Sequence, residues 1–349
     1  MSRIAYFGRR LLLAIPTFIG ITLVCFALTR FLPGGPVETR LLRMRGLAAQ
    51  GEAVVGAAGG GVAVTAEHRK ALAAQFGFDR SLPVQYWDWL VTNRMGLRLA
   101  SYDHPAQTAG QLILARLPVS LGFGLVAFLL TYAICIPLGV AKALRHRHAF
   151  DTASSAVVFA AYAIPPFALA LCLKACLCGT TEGLWDLFPL GGLASDFDVA
   201  PSWWVALADR AAHMALPVLC YVAGSFAMLT LLMKNSILEQ ISADYVRTVI
   251  AKGATRRRAI WAHAFRNALV PVATSVRPMF AGLLAGSIVI ETVFEIPGLG
   301  RLGWDALVGR DYAVFLALLA LTAILQLLGN LVSDALYLLI DPRIDYERK

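Results

Sequence analysis

The feature that most constrains the fold is a polar, basic segment enclosed by two long apolar runs. Residues 244–271 read DYVRTVIAKGATRRRAIWAHAFRNALVP, and together with Lys234 they hold seven Lys or Arg residues. A segment with this charge cannot lie in hydrocarbon, so it must lie in water on the membrane face that attracts positive charge. We therefore expect it to be the place where a soluble partner meets a membrane-embedded protein.

The composition is that of a membrane protein. Of the 349 residues, 58% are hydrophobic and 15% are charged, with a mean hydropathy of +0.66, whereas about 25% of a soluble domain is charged. The net charge of +9 is concentrated in short loops between apolar runs, so membrane topology explains it and no nucleic-acid partner is expected. The six cysteines lie in or beside apolar runs, which predicts small buried hydrophobes and no metal site.

Six apolar runs are long enough to cross a bilayer as helices, since about 20 residues suffice. They are residues 11–32, 117–144, 152–177, 213–233, 269–290 and 313–340. Pro165 and Pro166 interrupt the third run, and membrane helices tolerate proline where neighbouring groups satisfy the freed carbonyls. The sequence thus predicts an all-α integral membrane protein of six transmembrane helices, with a long loop between helices 1 and 2.

Lys and Arg alternate between the loops as six spans require. The N-terminal tail, the loops after spans two and four, and the C-terminal tail are basic, while the loops after spans three and five are richer in Asp and Glu. Basic loops face the cytoplasm, so both termini are expected there. The first run is about 22 residues long and ends without an A-x-A site, so we interpret it as an uncleaved anchor rather than a signal peptide.

This pattern divides the chain into four regions. They are an N-terminal transmembrane anchor (1–32), an outer loop region (33–110), a five-helix transmembrane domain (111–341) and a cytoplasmic tail (342–349). Within the loop region, residues 82–90 read LPVQYWDWL. Clusters of Trp and Tyr favour the boundary between water and lipid. We expect an interfacial anchor there, with direct contact to cargo as the alternative.

Polar residues inside the last two spans are candidates for a transport path. Gln326, Asn330 and Asp334 recur at i, i+4 and i+8, which places them on one helix face. An ionisable group at membrane depth is costly, so Asp334 should face protein or water. Arg277 in span five would pair with Asp334 or meet acidic cargo. Hydrogen bonding between helices is the alternative interpretation of this face.

Motifs spread along nearly the whole chain carry a family resemblance. They are LPGGP (32–36), LPVS (117–120), DYVRT (244–248), AKG (251–253), HAFRNA (263–268), ETVF (291–294), PGLG (297–300), RDY (310–312) and DPRID (341–345). With these motifs the chain resembles the B-type permease subunits of bacterial ATP-binding-cassette (ABC) importers for dipeptides and oligopeptides. FPLGGL (188–193) and IDYE (344–347) are similar to the branch that transports oligopeptides and microcin C-type peptide–nucleotides.

The resemblance implies a type I ABC importer permease fold in the bacterial inner membrane, with a coupling helix near residues 245–253 that fits an ATPase subunit. The residues implied are Tyr245, Val246, Arg247, Val249, Ile250, Lys252 and Gly253. We expect Val246, Val249 and Ile250 to supply the apolar contact and Gly253 to let the chain turn sharply. The glutamate of the general motif E-A-A-x-x-x-G is absent from this chain.

The resemblance also implies partners on both sides of the membrane. They are a second homologous permease, one or more cytoplasmic ATP-binding subunits and a periplasmic peptide-binding protein. The outer turn that would face the binding protein contains Glu291, Phe294, Pro297 and Gly298. In the cytoplasm, the triplet 256–258 is expected to attract anionic headgroups of the membrane lipid.

No phosphate-binding G-x-x-x-x-G-K-[ST] motif occurs in the sequence, so ATP hydrolysis would fall to a separate subunit. We accordingly expect no enzyme activity and no cofactor in this chain, with ATP and Mg²⁺ used by partner subunits. A secondary transporter or channel is the alternative function. It would require coupling-ion sites or inverted repeats, of which Asp334 is the single candidate residue.

Overall fold

The computed structural model describes residues 3–31, 79–179, 185–197 and 200–340, and most of them are helical. Among these residues the only β pairing is two isolated bridges, Ala100 with Thr108 and Cys178 with Phe188. The predicted all-α class is therefore confirmed. Most of the outer loop region, residues 33–78, and the tail at 342–349 lie outside the described residues.

The described residues form twelve helices, which are labelled here in chain order. They are α1 (Arg3–Phe31), α2 (Leu82–Trp87), α3 (Ala109–Leu144), α4 (Ala149–Ala163), α5 (Pro166–Leu177), α6 (Trp203–Ser242), α7 (Asp244–Ala251), α8 (Arg256–Ala259), α9 (Phe265–Ala285), α10 (Ile288–Val293), α11 (Leu299–Val308) and α12 (Tyr312–Ile340). Short π-helical turns follow α2 (Asp88–Thr92) and α8 (Ile260–Ala264).

Four helices of the described part are long and apolar enough to cross a membrane. They are Phe7–Phe31 in α1, Ala109–Leu144, Trp203–Ser242 and Tyr312–Leu336 in α12. The second and fourth predicted spans are longer than the apolar runs suggested, because α3 and α6 continue beyond hydrocarbon length into polar flanks. A 40-residue helix such as α6 is about 60 Å long at 1.5 Å per residue, which is twice the hydrocarbon thickness.

The third and fifth predicted spans differ from single straight helices. The third is the pair α4 and α5, bent by 94° at Ile164 and Pro165, because proline disfavours the helical conformation of the residue before it. The fifth, α9, ends at Ala285 rather than at residue 290, because Gly286 adopts a positive φ of 69°. Counting the bent pair as one span gives five candidates in the described part, so the predicted count of six is not confirmed.

The chain divides into two compact units. The first comprises Met1–Leu11, Arg116–Arg301 and Ile324–Lys349, and the second comprises Leu12–Ala115 and Leu302–Ala323. One core of the first unit joins α3, α6 and α9 around Cys135, Met233 and Val272. A Cβ at Gly139 would overlap Met233 and the Thr230 carbonyl, so α3 and α6 approach closely where only glycine fits.

The core of the second unit corrects the prediction for the aromatic cluster. Trp89 is only 4% exposed and packs with Phe26, Tyr312 and Leu316. It therefore belongs to the protein core, whereas Trp87 is the exposed member of the cluster. Side chains two residues apart lie on different faces of a helix, so Trp87 and Trp89 have different surroundings. A count of aromatic residues does not reveal this difference.

A buried aspartate fixes the loop before α3 to the start of α12 in the second unit. The Asp311 carboxylate accepts bonds from the Ser101 hydroxyl and from the backbone N–H groups of Tyr102 (3.0 Å) and Val314 (3.3 Å). The Val314 bond caps α12, since N-terminal N–H groups lack helical partners. Burial raises the pKa of the neighbouring Tyr102 to about 12, so its hydroxyl stays neutral at physiological pH.

Candidate functional site

Helix α7 follows α6 directly and packs one side against the segment after it. Val246 is 2% exposed and lies in a small core with Ala259 and Ala264. The hydroxyl of Tyr245 donates to Gln240 Oε1 at 2.7 Å, which ties α7 to the end of α6. Because a packed helix moves with its neighbours as a rigid body, a force on α7 would be conveyed to α6.

The predicted contact surface of α7 needs one correction. The sequence prediction assigns Val246, Val249 and Ile250 to contact with a partner, but Val246 is buried in the loop's own core and Val249 is partly buried against it. Ile250 is 42% exposed, and Arg247 and Lys252 are exposed beside it. An apolar stripe predicts burial but does not say which surface buries it, and here the following segment takes part of the stripe.

Gly253 ends this helical segment in the left-handed region. Its φ is +90°, its N–H donates to the Ile250 carbonyl at 2.9 Å, and the Ala254 N–H donates to the Val249 carbonyl at 3.3 Å. Such a residue after a helix satisfies its last carbonyls and reverses the chain. A Cβ at Gly253 would meet open space, so backbone conformation alone favours glycine there.

A buried ionic network joins α3, α4 and α6. Lys142 is 0% exposed, and its Nζ donates to the Asp151 carbonyl (3.1 Å) and to the hydroxyls of Ser154 and Ser155 (both 2.8 Å). Lys234 Nζ lies 2.7 Å and 2.8 Å from the two carboxylate oxygens of Asp151. The Asp151 carboxylate thus pairs with two lysines from two different helices. We call Lys142, Asp151 and Lys234 the charge network.

Sequence reasoning missed the charge network as a unit. It assigned Lys142 and Lys234 to the basic loops and gave Asp151 no role, although Asp151 is the first acidic residue after the loop that follows span two. That position was the available signal, because a carboxylate at the start of an apolar run needs a partner when it is buried.

A cavity of about 760 Å³ lies within the first unit, between α3, α4, α6 and α9. All of the described residues that line it are uncharged: Gly124, Ala127, Phe128, Thr131, Tyr162, Tyr221, Gly224, Ser225, Met228, Leu229, Leu232, Thr274, Ser275, Gly286 and Ser287. Small-molecule sites have volumes of about 300–1,000 Å³ and combine apolar walls with a few polar groups. The cavity therefore has the size and chemistry to hold one or two residues of a peptide.

Of the residues predicted to line the transport path, Gln326, Asn330 and Asp334 do not line this cavity. Asp334 is buried and forms an ion pair with Arg10 of α1. Gln326 is exposed, and Asn330 is half-buried with an Oδ1 that has no hydrogen-bond partner among the described residues. Arg277 lies in α9, and its side chain is outside the described part. The hydroxyls at Ser225, Thr274 and Ser275 were not singled out from the sequence, because such residues are common in membrane helices.

The predicted outer turn is organised around a buried carboxylate. Glu291 is 1% exposed; it accepts bonds from the Ser120 hydroxyl (3.0 Å) and from the Arg301 N–H (2.8 Å) near the start of α11. The Ser120 hydroxyl in turn accepts the Leu299 N–H at 2.7 Å. A Cβ at Gly298 would overlap the Glu291 carboxyl group. Glu291 therefore ties the start of α11 to the turn through these hydrogen bonds.

This burial corrects the predicted surface for a binding protein. Glu291 and Phe294 are 1% and 2% exposed and hold the turn together from inside, and Gly298 is buried against Glu291. Pro297 is exposed, as is Glu295, which pairs with Lys174 of α5 at 3.1 Å. A turn motif predicts chain reversal but not which of its side chains face outward.

Replacing Glu291 tests whether this carboxylate supports the turn. Glu291→Ala is expected to lower the free energy of unfolding by about 2–3 kcal/mol, because it leaves buried N–H and O–H donors unpaired. Glu291→Gln keeps the size of the side chain and one carbonyl acceptor, so its effect should be smaller. Thermal unfolding of the purified chain measures both variants. Equal unfolding midpoints for wild type and Glu291→Ala would contradict this role.

The difference in unfolding free energy between wild type and Glu291→Gln is expected to depend on pH. Burial raises the pKa of Glu291 above its ordinary 4.5, and the bonds from Arg301 and Ser120 offset only part of that shift. A raised pKa means that the folded protein binds the proton more tightly than the unfolded chain. The stabilisation is therefore complete below pH 4.5 and is lost as the pH rises through the folded pKa. Wild type should lose stability relative to Glu291→Gln over this range, and a constant difference would contradict the shift.

The chain matches one protein-family model and is similar along nearly its whole length to several relatives. The family model described as "binding-protein-dependent transport system inner membrane component" matches residues 135–346. The inner membrane ABC transporter permease protein YejB of Escherichia coli O157:H7 is 37% identical and aligns over 98% of this chain and 99% of its own. The peptidoglycan transport system permease protein YejB of Agrobacterium fabrum is 34% identical over 99% of both chains. The oligopeptide transport system permease protein AppB of Bacillus subtilis is 33% identical over 98% and 99%.

Proposed function

This chain belongs to the family of binding-protein-dependent transport system inner membrane components, and from this premise we propose that it is the permease subunit of an ATP-driven peptide importer. The relatives that align along nearly its whole length are named as ABC and oligopeptide permeases. That similarity favours an importer over the alternative of a secondary transporter or channel. The observation that carries the mechanism is the exposed face of α7 on a rigid, packed loop.

In this proposal α7 receives the movement of a cytoplasmic ATP-binding subunit, which binds ATP and Mg²⁺. Ile250 is the apolar contact, and Arg247 and Lys252 flank it. The buried side of α7 passes the movement to α6 through Val246 and Tyr245. From α6, the charge network passes it to α3 and α4. These helices form walls of the cavity, so closing of the ATPase would change the cavity's shape.

The cavity is this chain's part of the peptide path, and a second, homologous permease completes it. An uncharged lining suits a path for peptides of varied sequence, because conduction requires binding that is weak enough to release. Hydroxyls such as those of Ser225 and Thr274 can bond to peptide amides without selecting a charge. Gln326, Asn330, Asp334 and Arg277 stay in the proposal as residues of the path outside this cavity, and Asp334 is paired there with Arg10.

The cargo class proposed is oligopeptides, delivered by a periplasmic binding protein that would meet the exposed part of the outer turn at Pro297. Two relatives are named for peptidoglycan and oligopeptide transport, which supports small peptides, including those released from cell walls. Microcin C-type peptide–nucleotides stay within the proposal as the cargo predicted from the branch resemblance.

The proposed topology places both termini in the cytoplasm of a bacterial cell. The ion pair between Arg10 in α1 and Asp334 near the end of α12 supports this, since both belong to one compact unit. The first and last helices therefore have these ends on the same membrane side. Such an arrangement requires an even number of crossings, as the six predicted spans have.

Peptide uptake tests the proposed function. Cells that lack this gene should fail to take up labelled oligopeptides, with or without a nucleotide appendage, and should regain uptake when the gene returns. Gly224→Leu should assemble normally yet lower the uptake rate by about tenfold, because the new side chain fills part of a narrow path. A Cβ at Gly224 meets only Pro166, at 3.9 Å, so the helix can accept the change.

Gly122→Leu is the matched control. Gly122 also lies in a membrane helix with open space at its Cβ, but it does not line the cavity. Its uptake should stay within about twofold of wild type. Equal losses in the two variants would remove the cavity from the proposal, and uptake that continues without any ATP-binding subunit would contradict the importer itself.

A further inference from the structure

The segment between α7 and α9 has a feature that the proposed function does not use. Thr255, Arg257, Arg258, Trp261 and Ala262 line a surface cavity of about 420 Å³. Arg257 and Arg258 are exposed, and neither forms an ion pair with a described side chain. Two guanidinium groups facing a shared recess attract an anion that accepts several hydrogen bonds, and phosphate is the anion that matches their geometry.

The backbone that carries these side chains is held by local contacts. Thr255 caps α8, its hydroxyl oxygen accepting the Arg258 N–H at 3.3 Å. The π-helical turn that follows buries Ile260 and Ala264 and leaves Trp261 and Ala262 on the surface. Such turns are rare and occur frequently at functional sites. The recess is therefore built by a capped, packed segment and not by side chains on a mobile loop.

The position of Trp261 favours a lipid headgroup as the group that would supply the phosphate. Its indole is 48% exposed and packs on Phe265 with ring centroids 5.4 Å apart. Exposed Trp beside the start of a membrane helix is typical of the headgroup level of a bilayer. The predicted span begins at Leu269, about 12 Å further along the helix, and long Arg side chains extend toward the lipid–water boundary.

We propose that Arg257, Arg258 and Trp261 form a binding site for the headgroup of an anionic phospholipid. The arginines bind the phosphate, and the indole lies against the glycerol backbone. Ala259 and Ala264 of the same segment pack on Val246 of α7, so a bound headgroup fixes the depth of α7 below the membrane. Arg256 belongs to the same basic triplet but does not line the recess, which separates a defined site from diffuse attraction.

Native mass spectrometry of the purified full-length chain tests the site with phosphatidylglycerol and phosphatidylcholine as probes. Wild type should bind phosphatidylglycerol in preference. The double variant Arg257→Gln, Arg258→Gln should bind it about tenfold or more weakly, since two attracting charges are lost. The single variants Arg257→Gln and Arg258→Gln should each weaken binding about fivefold, and Arg256→Gln, the matched control, should weaken it less than either. Equal losses in the three single variants, or no loss in the double variant, would overturn the proposal.

Tryptophan fluorescence locates the lipid independently of charge. The difference in emission between wild type and Trp261→Phe isolates this indole from the other Trp residues. Brominated phosphatidylglycerol should quench that difference more strongly than brominated phosphatidylcholine, and the preference should disappear in the double arginine variant. Equal quenching by the two lipids in wild type would overturn the site.

Two further outcomes would assign the recess to another ligand. Glycerol phosphate at millimolar concentration should not displace phosphatidylglycerol, and displacement would identify a site for soluble phosphate esters instead. The double arginine variant should still co-purify with the ATP-binding subunit. Loss of that subunit together with unchanged lipid binding would identify a protein contact and overturn the lipid assignment.

Discussion

Replacing Asp151 with alanine is expected to lower the free energy of unfolding by about 3–5 kcal/mol, because it leaves buried charges without their partner. Lys142 is fully buried and Lys234 is 12% exposed at its side chain, so neither ammonium group can regain much hydration. The same change removes the carboxylate that joins α4 to α6. Thermal unfolding of the purified chain and its steady-state level in membranes measure the loss.

Two control variants distinguish the cost of leaving a buried charge unpaired from the cost of losing an ion pair anywhere in the chain. Asp88→Ala removes a carboxylate from an exposed pair with Arg80, 2.6 Å apart, and should cost less than about 1 kcal/mol. The triple change Asp151→Leu, Lys142→Met and Lys234→Met removes all the charges together and should recover much of the stability. A mild effect of Asp151→Ala, similar to that of Asp88→Ala, would contradict the role of the charge network.

Ile250→Asp is expected to abolish most peptide uptake while the chain remains folded. Ile250 is exposed at the end of α7, so a polar residue there leaves no cavity. In the proposed complex, however, it is the apolar contact with the ATP-binding subunit. Losing such an anchor and burying a charge costs about 2 kcal/mol or more, which weakens subunit binding roughly 30-fold. Co-purification of the ATP-binding subunit and uptake rates measure the effect.

Thr248→Ser is the matched control for this prediction. Thr248 is an exposed residue of the same helix, and its hydroxyl donates to the Asp244 carbonyl at 2.9 Å, a bond that serine can also make. Uptake by this variant should stay within about twofold of wild type. If Ile250→Asp retained both its ATP-binding subunit and its uptake, α7 would not be the coupling contact.

The fold class could be predicted from the sequence because hydrocarbon length and charge distribution are one-dimensional properties. Apolar runs and basic loops therefore located α1, α3, α6 and α12 correctly. The bend between α4 and α5 and the early end of α9 could not be predicted in detail. Proline and glycine permit such breaks, but the packing of neighbouring helices decides whether and where they occur.

The candidate site was only partly predictable for the same reason. The position of α7 and the turn at Gly253 follow from local sequence, since a short amphipathic stretch followed by glycine defines them. The partners of Asp151 are 83 residues away at Lys234 and nine at Lys142, and pairing over such a distance depends on tertiary packing. The sequence predicts that Glu291 is a surface residue of a turn. In the folded turn, however, the Glu291 carboxyl group is buried against three glycines, Gly286, Gly298 and Gly300.

The central claim is that α7 faces the cytoplasm and touches an ATP-binding subunit, and a photo-crosslinking amino acid at position 250 tests it most directly. Irradiation of intact cells should join this chain to the ATP-binding subunit, and the same probe at buried position 246 should give far less product. A probe at position 250 that instead joins the chain to a periplasmic protein, or to no ATP-binding subunit at all, would contradict the account.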